Sequence, residues 1–115
     1  MIYSELKTML ASLSHRSDLS ARMGMYSGNA TECINRRFGL ALAPLVADGD
    51  TNPVLTECLF LYIFAAMQAL NEDLNNGENA IYYSNRFNQE ADNQNINGVA
   101  FTSTGGNAPL QIKIV

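Results

Sequence analysis

The most restrictive feature of this sequence is a long apolar stretch in the middle of the chain, residues 53–70. Pro53 follows Thr51 and Asn52, two good N-cap residues, and proline is favoured at the first position of a helix. The apolar side chains after Pro53 cover almost the whole circumference of the helix they predict. Such a helix must be covered from all sides. Because so short a chain has few other helices, we expect another chain to cover part of this surface.

Three other segments show the apolar spacing of amphipathic helices. The first begins near Ser4. The second main helix is expected over residues 25–38, after a break near Gly24, and Gly39 is a natural end for it. The last covers residues 78–95 and has a narrower apolar stripe than the others. These segments and the central apolar helix predict an all-α fold built as a bundle of three to four helices.

The bundle is expected to form one domain over residues 1–96, followed by an extended C-terminal arm over residues 97–115. The arm ends in a period-2 alternation of apolar and polar residues, which predicts a short β-strand. No second strand is evident before the arm, so we expect this strand to pair with another protein by β-augmentation. The residues predicted to bind a partner are Val99, Phe101, Leu110, Ile112, Ile114 and Val115.

The charge content of the chain limits its possible partners. The net charge is −4 and charged residues make up only 16% of the chain, with asparagine common instead. An acidic chain whose only basic pair is Arg36 and Arg37 does not favour nucleic-acid binding, which needs clustered cations. The low charge has two interpretations that the sequence leaves open. It reflects either genome composition or a surface sequestered in a permanent complex.

The sequence offers no set of residues for catalysis, a cofactor or a metal. His15 is the only histidine and lies in a polar break, so neither a metal site nor a Ser-His-acid triad is expected. Cys33 and Cys58 lack metal-ligand spacing, and we expect both to be buried, reduced thiols of a cytosolic protein. The stretch 59–70 is too short to span a membrane, and the N-terminus does not have the pattern of a secretory signal.

The chain contains five stretches, at residues 2–7, 16–19, 32–38, 59–70 and 82–87, that in this order resemble the head–tail adaptor (connector) family of tailed bacteriophages. Residues 2–7 and the Arg-Ser-Asp-Leu step at 16–19 resemble the family's opening helix and the step that follows it. Residues 32–38, Glu-Cys-Ile-Asn-Arg-Arg-Phe, resemble its Ile-Asn-Arg helix end. Residues 59–70 are similar to its Leu-Tyr and Ala-rich helix, and residues 82–87, Tyr-Tyr-Ser-Asn-Arg-Phe, to its later Tyr and Arg-Phe helix. The resemblance covers about residues 2–96.

The resemblance implies a structural virion protein that is not an enzyme. Members of this family form a ring, of twelve copies in the usual case, between the portal protein and a tail or nozzle protein. DNA passes through the ring without specific binding, and no membrane takes part. The ring is assembled in the host cytoplasm and lies at the head–tail interface of the virion, and the C-terminal segment grips the portal. Here that segment is the arm, residues 97–115.

This chain departs from many members between its second and third helices. Those members have a longer β-rich insertion there, whereas this chain has only residues 39–52, so it resembles the tail-accessory type that lacks the insertion. The apolar half of this linker is expected either to lie across the core or to face a neighbouring subunit. With the surplus apolar surface of the central helix, it provides the expected ring contacts, which are Leu42, Leu45, Val46, Phe60 and Phe64.

A second hypothesis assigns the chain to a different class of protein. The same helical domain and terminal strand suit a small protein-binding or regulatory module of the cytosol, in which the strand binds one partner. A monomer that forms no ring beside any portal would favour this alternative.

Overall fold

The computed structural model describes residues 1–16, 18–96, 99–102 and 111–114, with side chains up to residue 93. The elements are α1 (Tyr3–Ser14), a 3-10 turn (Ser20–Arg22), α2 (Met23–Phe38), α3 (Pro53–Glu57), α4 (Leu59–Asp73), α5 (Gly77–Ile96), β1 (Val99–Thr102) and β2 (Gln111–Ile114). The predicted helical domain is therefore confirmed as a compact helical fold. Within the described residues it has five α-helices, where three or four were expected.

Helix α4 lies at the centre of the bundle and contacts α1, α2, α3 and α5. Most of its apolar side chains are buried, namely Leu61, Tyr62, Ile63, Ala65, Ala66, Met67 and Leu70. The four other helices thus cover most of this helix, and the expectation that another chain covers part of its surface stays a prediction. The largest apolar side chain that α4 leaves exposed is Phe60, at 57%.

The apolar stretch that begins at Pro53 forms two helices instead of one. The backbone changes direction at Cys58, which has φ −132° and ψ 55°. Asn52 caps α3 as predicted, since its Oδ1 accepts a hydrogen bond from the Leu55 N–H at 2.9 Å. Its Nδ2 also donates to the Tyr62 hydroxyl at 2.8 Å. In one straight helix these residues would lie about 15 Å apart along the axis, so the change of direction is what brings them together.

A hydrogen-bonded group around the Tyr62 hydroxyl joins three helices inside the core. Tyr62 is fully buried, and its oxygen lies 3.0 Å from Thr31 Oγ1 of α2. Thr31 donates its own hydrogen to the Ser27 carbonyl at 3.2 Å, so the Tyr62 hydroxyl donates to Thr31 and accepts from Asn52. The hydroxyl thus satisfies polar groups of α2 and of the α3 cap at once.

Helix α2 runs through Gly24 without the expected break and ends where the sequence predicts. Gly39 takes the left-handed conformation, with φ 67°, and its N–H donates to the Asn35 carbonyl. The Leu40 N–H also donates to this carbonyl, at 2.9 Å. The Asn35 side chain then holds the linker, because it accepts from the Leu42 N–H and donates to the Leu42 carbonyl. At Gly24 the backbone of α2 lies close to α1, since an added Cβ there would lie 3.2 Å from the Tyr3 hydroxyl.

In the described part of the arm, the backbone of β1 runs antiparallel to β2, with Val99 opposite Ile114. The sequence predicted a terminal strand without a partner in its own chain, and this pairing differs from that expectation. Leu110 and Val115 lie outside the described residues, as do the side chains of Val99, Phe101, Ile112 and Ile114. The role of these six residues in partner binding stays a prediction.

Candidate interaction surface

The five predicted ring contacts do not all lie on the surface. Leu45 is buried in the core and Leu42 is partly buried against it, so the linker lies across the core at these two positions. Val46 is 78% exposed, and Phe60 is also exposed, whereas Phe64 is partly buried on α4. Leu45 therefore cannot contact a neighbour without leaving the core. Val46 and Phe60, together with the partly buried Leu42 and Phe64, remain candidates for contacts with another chain.

Val46 projects from a tightly hydrogen-bonded loop, residues 46–50, which we call the Val46 loop. The Asp50 carboxylate accepts hydrogen bonds from the N–H groups of Val46 and Ala47 at 2.9 and 2.8 Å. These two bonds lower the pKa of the Asp50 carboxyl below its ordinary value. The Asp50 N–H donates to the Ala47 carbonyl at 2.9 Å. The loop is thus a turn closed by its own side chain, a common role for aspartate.

The Val46 loop is also fixed to the start of α1. The first N–H groups of a helix have no partner within the helix. Here the Tyr3 N–H donates to the Asp50 carbonyl at 2.8 Å, and the Ser4 N–H donates to the Asp48 carbonyl at 3.0 Å. The Lys7 ammonium contacts Asp48 Oδ1 at 3.0 Å. The loop therefore caps a helix that precedes it by some forty residues in the sequence.

A cluster of aromatic rings covers the surface between α4 and α5, and we call it the aromatic patch: Phe60, Phe64, Tyr82, Tyr83 and Arg86. The rings of Phe60 and Phe64 stack with centroids 5.7 Å apart, and Phe64 lies 6.4 Å from Tyr83. Tyr82 meets Tyr83 edge to face at 5.1 Å. The Arg86 guanidinium lies 5.2 Å from the Phe64 ring centroid, within cation–π range.

Sequence reasoning selected two members of this patch and missed the other three. Tyr82, Tyr83 and Arg86 stood in the predicted last helix, but none of them was among the predicted contact residues. The available signal was helical spacing, because Arg86 is three residues after Tyr83 and four after Tyr82, which places all three side chains close together. What the spacing alone could not indicate was that the patch continues onto α4.

Among the described residues, no group of three or more histidine, cysteine or acidic side chains is close enough to hold a metal ion. Cys33 and Cys58 are half-buried, not fully buried as expected, and burial raises the pKa of the Cys58 thiol to about 11. A thiol with so high a pKa is a poor nucleophile near neutral pH. His15 ends α1 in the left-handed conformation.

One surface groove among the described residues has a volume of about 430 Å³ and is lined by Met1, Ser4, Glu5, Thr8, Met9 and Ser12. Glu5 is its only acidic side chain, and the Glu5 carboxylate accepts a hydrogen bond from the Ile2 N–H at the start of α1. None of the described helices has the length and apolar character to cross a membrane.

The remaining ion pairs hold the bundle together at its surface. Asp73, at the end of α4, accepts hydrogen bonds from the Tyr26 hydroxyl at 2.5 Å and from Arg22 at 2.9 Å. These bonds lower the pKa of the Asp73 carboxyl. Arg37 of α2 reaches Asp92 of α5 at 2.7 Å. These contacts link helices to one another and do not form a site that faces a cleft.

Comparisons with protein-family models, with curated proteins and with solved structures gave no match to this chain.

Proposed function

We propose that this chain is the subunit of a head–tail adaptor ring, a structural virion protein that joins the portal protein to a tail or nozzle protein. The observation that carries the proposal is a firmly packed helical domain with apolar side chains held on its surface, at Val46 and in the aromatic patch. Such side chains suit contacts with other proteins. The ordered likeness of residues 2–96 to the adaptor family supports the same function.

The charge of the chain agrees with a channel through which DNA passes. A surface that neutralised phosphates would need clustered lysine and arginine. Here the net charge is −4, and Lys7, Arg16, Arg22 and Arg37 are each paired with an aspartate. A ring of such subunits would hold DNA weakly. The proposed place of action is the head–tail interface of the virion, after assembly in the host cytoplasm.

The arm, residues 97–115, is proposed to attach each subunit to the portal. Strand β2, which pairs with β1 on one side, would add to a sheet of the portal or of a neighbouring subunit on its other side, which supplies main-chain hydrogen bonds. Repetition of this contact around a ring of twelve copies would multiply a weak single contact by avidity.

Truncation of the arm tests this function. A variant that lacks residues 107–115 should keep the helix content of the full chain, because the described core lies within residues 1–93. It should no longer co-sediment with the portal protein of the same virus, while the full chain does. If the truncated chain binds portals as well as the full chain, the proposed role of the arm is wrong.

A point substitution tests whether one face of the terminal strand takes part in binding. Ile112→Asp should weaken binding to the portal without loss of helix content. Gln111→Asp is the matched control, since it makes the same change of charge on the opposite face of the strand pattern. Equal effects of the two substitutions would indicate that charge, and not a buried strand face, determines binding.

The alternative function is a small cytosolic module that binds one protein through the same strand. The close cover of α4 by the chain's own helices favours it, because most of this helix does not need another chain to cover it. The mass of the protein alone and mixed with the portal distinguishes the two. A ring on the portal supports the adaptor, whereas a monomer that ignores the portal supports the module.

A further inference from the structure

The Val46 loop and the aromatic patch have complementary surfaces on different parts of the same molecule. We infer that the Val46 loop of one copy binds the aromatic patch of the next copy, with Val46 on the exposed rings and Asp48 beside Arg86. The inference rests on the proposed function and specifies which two surfaces would join neighbouring subunits.

The Val46 loop has the properties of a preformed binding element. Its backbone is held by the two hydrogen bonds to the Asp50 carboxylate and by the bonds to the start of α1. Leu45, the residue before it, is buried, which fixes the direction of the chain where Val46 turns outward. Little conformational entropy would be lost on binding, because the loop is ordered before it meets a partner.

The aromatic patch has the properties of a receptor for an apolar side chain next to a carboxylate. Phe60 and Tyr82 are 57% and 54% exposed, so more than half of each side chain is open to a partner. The rings support one another through stacked and edge-to-face contacts, which hold them in place. Arg86, which is exposed, adds a cation beside the ring of Phe64.

The two surfaces carry opposite charges, and both have exposed apolar side chains. The Asp48 side chain is 77% exposed, and the lysine that it contacts uses one of its two oxygens. Asp48 thus remains accessible to a cation from another copy. The acidic loop therefore attracts the apolar patch that carries the Arg86 cation. Contacts between two loops are disfavoured, because carboxylates would meet there.

The geometry of this contact determines the type of assembly. Two different surfaces of each copy take part, so the contact is heterologous and continues from copy to copy, into a ring where the rotation between copies closes and into an open filament where it does not. Two half-exposed aromatic side chains offer roughly 200 Å², whereas a stable interface needs about 800 Å² from each partner. A single contact should therefore be weak, and measurements on the free protein need millimolar concentrations.

Charge exchange on the full chain tests the inference. At millimolar concentration in low salt, sedimentation equilibrium of the natural chain should give an average mass that rises beyond the dimer. Arg86→Asp and Asp48→Arg should each lower the association constant by roughly threefold to tenfold. The chain with both substitutions should recover to within about twofold of the natural value, because the charges are exchanged and not lost.

Two further variants separate the loop from general surface effects. Val46→Ser should weaken association, whereas Met25→Ser, which alters an exposed apolar residue of α2, should not. Circular dichroism of each variant checks folding, and all these side chains are exposed. The inference is overturned by a chain that stays monomeric, by association that stops at a dimer, or by single charge reversals without effect.

Portal binding, measured in parallel, distinguishes the inference from the function on which it rests. If the natural chain forms a ring on the portal while the loop and patch variants do so equally well, the loop–patch contact is wrong and the adaptor function stands. If the natural chain neither associates nor binds the portal, both are wrong.

Discussion

Removal of the Tyr62 hydroxyl tests whether the buried polar group between α2, α3 and α4 stabilises the fold. Tyr62→Phe keeps the ring and removes one oxygen from a fully buried position. That oxygen accepts from Asn52 Nδ2 at 2.8 Å and donates to Thr31 Oγ1, 3.0 Å away. Asn52 loses this acceptor, although its Oδ1 still caps α3. Thr31 keeps its bond to the Ser27 carbonyl.

The expected cost follows from these contacts. Each lost hydrogen bond has a net value of about 0.5–1.5 kcal/mol, so we expect Tyr62→Phe to lower the free energy of unfolding by about 1–3 kcal/mol. Urea unfolding followed by far-ultraviolet circular dichroism measures this change. The slope of the free energy of unfolding against urea concentration should be the same for both chains. Tyr82→Phe is the matched control, because Tyr82 is exposed and its change should stay within about 0.5 kcal/mol.

A second substitution distinguishes the hydrogen bonds from packing. Thr31→Val removes the other hydroxyl at nearly constant shape. When both partners of a buried hydrogen bond become apolar, the loss is smaller than the sum of the single losses. We therefore expect the Tyr62→Phe, Thr31→Val chain to be more stable than additivity predicts. A cost below about 0.5 kcal/mol for Tyr62→Phe alone would refute the reasoning, because a partner left unsatisfied in the core should cost more.

Two further predictions concern backbone conformation and acid. Gly39→Ala should lower the free energy of unfolding by about 1 kcal/mol because its φ is 67°, whereas Gly28→Ala should raise it by about 0.5–1 kcal/mol, since an added Cβ meets nothing within 4 Å inside α2. Thermal unfolding measures both changes, and the prediction is contradicted if the two substitutions change the free energy of unfolding in the same direction. The pKa of Asp73 is lowered by Tyr26 and then by Arg22, so its stabilisation is present above the ordinary carboxyl value of 3.8 and is lost as the pH falls below it. Tyr26→Phe should therefore flatten the loss of stability below pH 3.8; an unchanged acid profile would show that this contact has no such role.

The local chemistry of the sequence predicted the ends of the helices more reliably than their interiors. Gly39 and Asn52 act through their own backbone or side chain, so their roles as helix end and cap were evident from residue type. The break at Cys58 was not evident, because nothing in residues 53–70 disfavours a continuous helix. It brings Asn52 within hydrogen-bond distance of Tyr62, a tertiary contact that the apolar pattern does not indicate. Gly24 gave the opposite error, because a break was predicted there and α2 contains this residue without one. The backbone at Gly24 lies close to Tyr3, a contact that residue type alone does not indicate.

The candidate surface was predicted in part for a similar reason. Apolar pattern selected both Leu45 and Val46, but pattern does not distinguish two neighbouring residues of a linker that lacks regular structure. The hydrogen bonds of Asp50 turn one inward and the other outward. Phe60 was selected as surplus apolar surface and is exposed, whereas the cover of the rest of α4 depends on how many helices surround it.

The cap that the Val46 loop gives to α1 has a consequence for folding during synthesis. Helix α1 has 12 residues, near the lower limit of about 12–15 for a helix that is marginally stable in water. The carbonyls that satisfy its first N–H groups belong to Asp48 and Asp50. At about 5–20 residues per second, the ribosome makes them several seconds after Tyr3. The nascent α1 therefore lacks these two hydrogen-bond acceptors until Asp48 and Asp50 are made. A pause in translation before residue 48 would prolong the exposure of α1 to chaperones and proteases.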